Sequence, residues 1–172
     1  GTKIIPSSLS ISELKRMNHS RLKEVGKRLR KMADIIIYDC AAGLGDEAVA
    51  SMESSDELIL VTNPEIPAVT DALKTLKLAD QMKKKVLGVI VTKVKKNKFE
   101  MPISNIQEML ELPILGVIPE DKKFQSALAM KEALIHAYPK SKAAQEYKRI
   151  AAKLIGKNNF KQDSSFFGRI FG

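Results

Sequence analysis

Short β-branched runs alternate along the chain with longer stretches whose apolar residues return every three to four positions, the pattern of an α/β domain with a mainly parallel sheet. Five runs have strand character. Lys3 to Ile5 is short and is stopped by Pro6, whereas Asp34 to Asp39 (DIIIYD) and Glu57 to Thr62 (ELILVT) read as buried central strands. Val86 to Thr92 (VLGVIVT) and Ile114 to Ile118 (ILGVI) follow, each with an internal glycine where a neighbouring backbone can approach closely.

Leu14, Met17, Leu22, Val25, Leu29 and Met32 line one face of an amphipathic crossover helix, and lysines and arginines fill the rest. Ser10 or Ser12 caps its start, with Glu13 in the first turn, where a negative charge suits the helix dipole. Pro67 opens a second helix that carries Val69, Leu73, Leu76 and Ala79, and Met101 to Leu110 forms a third. Asp121 is the expected cap of a fourth helix through Phe124, Leu128 and Leu134. Pro139 breaks the chain, and a last helix runs from about Ser141 to Ile155. There is no internal repeat of the solenoid kind.

With 172 residues, 44% of them hydrophobic and 28% charged, the chain suits one compact domain and excludes a largely disordered protein. No apolar run approaches the ~18 residues that cross a bilayer. A net charge of +9 favours acidic partners: anionic lipid, nucleic acid or nucleotide. The single cysteine, Cys40, excludes an intrachain disulfide and packs as a small apolar side chain, while His19 and His136 stand alone and supply no zinc set. A reducing, cytoplasmic setting is the default. The chain starts at Gly1, and GTKIIPSS has neither a signal-peptide core nor a myristoylation pattern, so it reads as cut or processed.

The sharpest local signal is IIIYDCAAGLGDE, residues 35 to 47. Ligands of open parallel sheets sit beyond the carboxyl ends of strands, which is where this run puts Asp39. An aspartate ending an apolar strand and followed by DxxxG is how P-loop nucleotidases present a carboxylate toward the magnesium ion of a bound nucleotide, and Gly43 lets backbone amide approach the terminal phosphate. The same residues also suit a strand that ends in an ordinary polar turn.

In order along the chain, IIYDCAAGLGDEA, SSDELILVTNPEIPAVTDALKTLKLAD, LGVIVTKV and LPILGVIPED resemble the MinD branch of the MinD/ParA family of deviant P-loop ATPases. The resemblance implies a three-layer α/β sandwich with a mainly parallel sheet, and ATP and Mg2+ as cofactors. It assigns Asp39 to the magnesium side, through water, and Gly43 to the terminal phosphate. Thr92 and Lys93 line the adenine pocket, and Pro119, Glu120 and Asp121 close over the base. Two departures from the family pattern stand out: Cys40-Ala41-Ala42 lacks the usual proline, and Thr-Lys lacks the side-chain amide that Asn offers to adenine. Asn63, Pro64 and Glu65 match a signature near the dimer and partner surface, although Asn and Pro also favour such turns for backbone reasons alone. Asp71 fits either a partner-binding helix or an ordinary exposed face.

The family's glycine-rich loop ending in lysine and a hydroxyl residue is not in the sequence. Gly26-Lys27 is followed by Arg28 and Gly156-Lys157 by Asn158. Residues 1–156 therefore read as a partial ATPase domain, the carboxyl-terminal two-thirds of such a protein, without its amino-terminal phosphate-loop unit. A gap or an exposed edge is expected in its sheet. No catalytic residue is assigned, and the piece alone is expected to be inactive.

Residues 157–164 are polar and aperiodic, as a linker is, and 165–172 follow as an amphipathic tail. Phe166, Phe167, Ile170 and Phe171 gather on one helix face with Arg169 flanking, a face suited to a membrane surface, and Lys153, Lys157 and Lys161 precede it. The alternative is a tail docked on its own domain. The family resemblance implies an ATP-bound homodimer that sets two such tails side by side on an anionic membrane, peripheral to the inner face of the cell membrane, with a protein regulator of unknown identity and a role in the spatial regulation of cell division. Two other readings compete. A ParA-like protein would bind DNA without sequence preference through Lys83, Lys84, Lys85, Lys93, Lys95, Lys96 and Lys98, and a non-catalytic interaction module would use the sheet as scaffold alone.

Overall fold

The computed structural model describes residues 2–6, 21–40 and 43–156. The Ser10 or Ser12 cap, Glu13, the helix face at Leu14 and Met17, His19, Ala41, Ala42, the 157–164 linker and the 165–172 tail lie outside the described residues.

Three strands occur among the described residues, β1 (Glu57–Thr62), β2 (Lys85–Val94) and β3 (Ile114–Pro119), and they form one sheet in that order. β2 and β3 run parallel, with Val89 opposite Ile114, Ile90 opposite Gly116, Val91 opposite Val117 and Val94 opposite Pro119. Val89 and Val91, two residues apart, put their β-branched side chains on one face, and both are fully buried. Gly88 has φ +149°, and a Cβ there would strike the Pro113 carbonyl oxygen, so the close backbone approach expected at this glycine is present.

Two strand expectations fail. Residues 2–6 form no strand, and neither does DIIIYD. Ile35 and Ile37 are 63% and 86% exposed, while Ile36 and Tyr38 are half-buried. The period-two alternation of a strand survives there, but the three-stranded sheet gives the segment no neighbour, and a strand exists only through a ladder. ELILVT is a strand but an edge one, not the buried central strand expected. Leu60 and Thr62 face inward, whereas Val61 is 63% exposed. Among the described residues the sheet is open at both β1 and β3, so the exposed edge expected from the sequence is present.

The chain divides into two compact units, the first taking in the described residues up to Leu58 with Thr75–Lys85, the second Ile59–Lys74 and the chain from Val86 onward. In the first unit, α1 (Leu22–Leu29) packs on α2 (Asp46–Ser54). Gly26 is the buried residue of α1, and the Tyr38 hydroxyl lies where its side chain would be. Helix α2 is an addition to the sequence reading. Asp46 and Glu47 occupy its first turn, where they complement the helix dipole. At its other end the Lys84 ammonium donates to the Glu53 and Ser55 carbonyl oxygens at 3.0 and 2.7 Å, satisfying carbonyls that a helix terminus leaves without partners. Arg30 pairs with Asp56 at 2.8 Å, and Lys85 with Glu57 at 2.6 Å.

Helix α3 (Ile66–Gln81) buries Val69, Ala72 and Ala79, and runs across the division between the units. In the second unit, α4 (Ile103–Leu110) buries Ile106 and Leu110. The single helix expected from Asp121 to Leu134 is two, α5 (Lys123–Ala129) and α6 (Leu134–Ala137). Lys131 interrupts them with φ +56°, a left-handed conformation that no α-helix continues, and Leu128 is exposed, not in the core. α7 (Lys142–Leu154) starts where expected: the Ser141 hydroxyl accepts from Ala144 N at 3.1 Å. It lies on β3, and Ile150 occupies the space left by Gly116. Ile118, Ala127, Leu134, Ala143, Ala144 and Ile150 form the core of this unit.

Candidate functional site

The carboxyl-terminal ends of the three strands carry the loops that hold most of the expected site residues, all in the second unit. Thr92, near the end of β2, shares its one hydroxyl proton between the Thr62 carbonyl oxygen at 3.2 Å and Asn63 Oδ1 at 3.0 Å. The Asn63-Pro64-Glu65 turn after β1 is tied again by its Pro64 carbonyl, which accepts from Met101 N at 2.9 Å. Across the sheet, the Val94 carbonyl accepts from Glu120 N at 3.0 Å, and the Lys95 ammonium stands 3.6 Å from the Glu120 carboxylate. The loops after β1, β2 and β3 thus form one hydrogen-bonded rim, in the place where open α/β sheets bind ligands.

The structure brings together Thr92, Lys93, Pro119, Glu120 and Asp121 on this rim. Lys93 is exposed, with φ +57°, and Pro119 closes β3. Asp121 turns its carboxylate to Lys123 N at 2.9 Å, so it helps start α5 as expected, one residue ahead of the formal cap at Lys122. Asp71 is exposed on α3 and pairs with Lys74 at 2.9 Å. His136 is exposed.

Asp39 and Gly43 belong to the first unit. The Asp39 carboxylate is exposed at the end of the extended DIIIYD segment and is not packed against hydrocarbon. Gly43 has φ +98°, a conformation that favours glycine, with open space where a side chain would stand. Cys40 is exposed, not packed as expected, and its thiol reaches the Tyr38 carbonyl at 3.6 Å, because the strand that would have enclosed it does not form. A cavity of about 370 Å3 in the same unit is lined by Lys23, Lys27, Arg30, Asp56 and Lys84 among others, and contains none of the expected site residues.

Sequence reasoning missed Glu100. Its two carboxylate oxygens accept from Lys95 N and Lys96 N, each at 2.7 Å, and Asn97 Oδ1 accepts from Phe99 N at 2.9 Å. The signal was present as an acid closing the lysine run KVKKNKFE. The missed Asn63–Thr92 link joins two loops 29 positions apart, which no local pattern reveals.

The rim does not build a phosphate or metal cage. The sequence has no Gly-Lys followed by Ser or Thr, and among the described residues no three His, Cys, Asp or Glu side chains converge on a metal position.

Residues 17–155 match a family model described as ParA, the NUBPL iron-transfer P-loop NTPase. The chain is 38% identical over 156 residues to an uncharacterised ATP-binding protein of Methanocaldococcus jannaschii, a match covering 91% of this chain and 59% of that protein. Its fold is similar to that of the cell division ATPase MinD of Pyrococcus furiosus, with TM-score 0.81 and 28% identity over 87% of this chain and 63% of that one. It is equally similar to the septum site-determining protein MinD of Pyrococcus horikoshii complexed with Mg-ADP, with TM-score 0.81 and 29% identity over 91% and 64% of the two chains. The chain thus spans about 59% of the length of the first of these relatives.

Proposed function

The chain belongs to the ParA/MinD family of P-loop NTPases, and on that premise we propose that it is part of a MinD-like ATPase whose ATP-dependent dimerisation controls membrane attachment and the spatial regulation of cell division. The observation that carries this reading is the rim itself. Asn63 after β1 accepts from Thr92 on β2, and Glu120 after β3 donates to Val94 at the end of the same strand. A partner or second copy touching Asn63-Pro64-Glu65 would then be felt at the base side of a nucleotide.

In this proposal Thr92, Lys93, Pro119, Glu120 and Asp121 bound the adenine of ATP, Gly43 offers its amide to the terminal phosphate, and Asp39 faces the Mg2+ side. The phosphate cage comes from a segment outside these 172 residues, so no hydrolysis step is assigned to the chain. Phe166, Phe167, Arg169, Ile170 and Phe171 anchor the tail in an anionic membrane. One such anchor is weak, and pairing two by dimerisation makes the second insertion effectively intramolecular.

Vesicle sedimentation of a longer protein carrying the glycine-rich loop tests this reading. Binding to phosphatidylglycerol vesicles should rise with ATP over ADP, and should be lost on serine substitution of Phe166, Phe167 and Phe171. Membrane binding indifferent to nucleotide would overturn it. The DNA reading has less support, since Lys84 and Lys85 are engaged with carbonyls of residues 53 and 55 and with Glu57.

A further inference from the structure

The loop after β2, Lys95 to Phe99, has chemistry that neither the nucleotide reading nor the tail explains. KKNKF holds three lysines and no acid, and Lys95, Lys96 and Lys98 are all exposed. Phe99 follows them and is 87% exposed, forgoing the burial that normally stabilises a phenylalanine. The ring is not there through a loose backbone. Asn97 Oδ1 accepts from Phe99 N, and the Glu100 carboxylate accepts from Lys95 N and Lys96 N, so side chains on both flanks fix the loop. The Glu100 carboxylate is thereby engaged with backbone. The Lys98 ammonium lies 5.2 Å from the centre of the Phe99 ring, placing a cation beside the apolar surface. Lys95 has only a 3.6 Å contact with Glu120, both side chains being about half exposed, a pair that water and salt screen.

We propose that the Lys95 to Phe99 loop is a membrane contact of the domain itself, separate from the tail: Phe99 enters the interfacial region of an anionic bilayer while the flanking ammonium groups stay at the phosphate headgroups. Long lysine stems allow that division, the charge reaching the headgroup level while the ring goes deeper. A single-stranded nucleic acid would instead call for a row of rings or a basic groove, and Phe99 is the one aromatic in the loop.

The sequence contains no tryptophan, so Phe99→Trp places a unique fluorophore at the tip. The full chain carrying this change, with the tail disabled by serine at Phe166, Phe167 and Phe171, is titrated with vesicles of equal parts phosphatidylglycerol and phosphatidylcholine. A blue shift of emission is expected, absent with phosphatidylcholine alone. In sedimentation, the tail-disabled chain should lose about fivefold in partitioning for each of Lys95, Lys96 and Lys98 changed to glutamine, and about tenfold for Phe99→Ser. Emission that does not move with anionic vesicles, partitioning unaffected by these changes, or a shift produced by single-stranded DNA and not by lipid would each overturn the proposal. Loss of all vesicle binding on disabling the tail would also overturn it while leaving the tail reading intact.

Discussion

Thr92 shows how one hydroxyl can matter beyond its size. Its proton serves two acceptors on the end of β1, and both acceptors lose it if the hydroxyl is removed. Thr92→Val should cost about 1 kcal/mol of stability, the usual net worth of such a bond, with Thr92→Ser retaining most of it; urea unfolding of the three proteins checks this, and an equal loss in the serine variant would sink the argument. Tyr147, on α7, makes an edge contact with Phe124 at 6.2 Å between ring centres. Partial burial raises the pKa of its phenol above the ordinary 10.0, because the phenolate would lose water. Between the ordinary and the raised value the unfolded chain gives up a proton that the native chain keeps, so stability contributed by the neutral phenol is complete below the ordinary value and is lost as pH climbs through the folded one. Between about pH 9 and about pH 11, wild type should therefore lose more stability than Tyr147→Phe, as read from urea midpoints. Parallel slopes would show that the partly buried phenol carries no linkage.

At the scale of elements, the same physics separates what could be read from the sequence and what could not. Gly88 was legible as a close approach, and its φ of +149° adds a reason for glycine that the pattern alone does not contain. Gly88→Ala should cost about 1–3 kcal/mol through backbone strain and the clash with Pro113, visible as a lowered melting temperature, and an unchanged one would mean the strands can part there freely. β2, β3 and α7 were legible because their burial follows local period and their caps are local residues, Ser141 above all. α2 was not, because its buried residues are mostly small and leave no strong apolar stripe. DIIIYD misled for a different reason: alternation records a capacity to pair, and pairing is a property of the neighbour. Hydrogen exchange should report the difference. Amides of residues 35–39 should exchange within the fastest class, and those of Val89 and Val91, inside a buried strand, within the slowest. Protection at 35–39 equal to that of β2 would show a ladder that this structure does not contain.

For the whole molecule, the issue is how an ATPase family's chemistry is distributed along its chain. Phosphoryl transfer asks little covalent work of a protein, and catalysis comes from holding phosphates and metal in place. In the proposed reading the rim at the ends of β1, β2 and β3 positions the base, but holding the phosphates needs a glycine-rich loop with its lysine, and this sequence has none. Base-side contacts without a phosphate cage give weak binding and no acceleration. The 172-residue chain, assayed for phosphate release with ATP and Mg2+, should therefore stay at the uncatalysed rate and show no saturable binding of a fluorescent ATP analogue in the micromolar range. Joining it to a segment carrying such a loop should restore both. Turnover by the chain alone would place the phosphate-holding groups within these residues, and the lysines of the first unit, Lys23, Lys27 and Lys84 around the 370 Å3 cavity, would be the first to substitute. Binding without turnover in the joined protein would locate the deficit on the metal side instead, where Asp39→Asn becomes the informative change, since it removes the charge and keeps the shape.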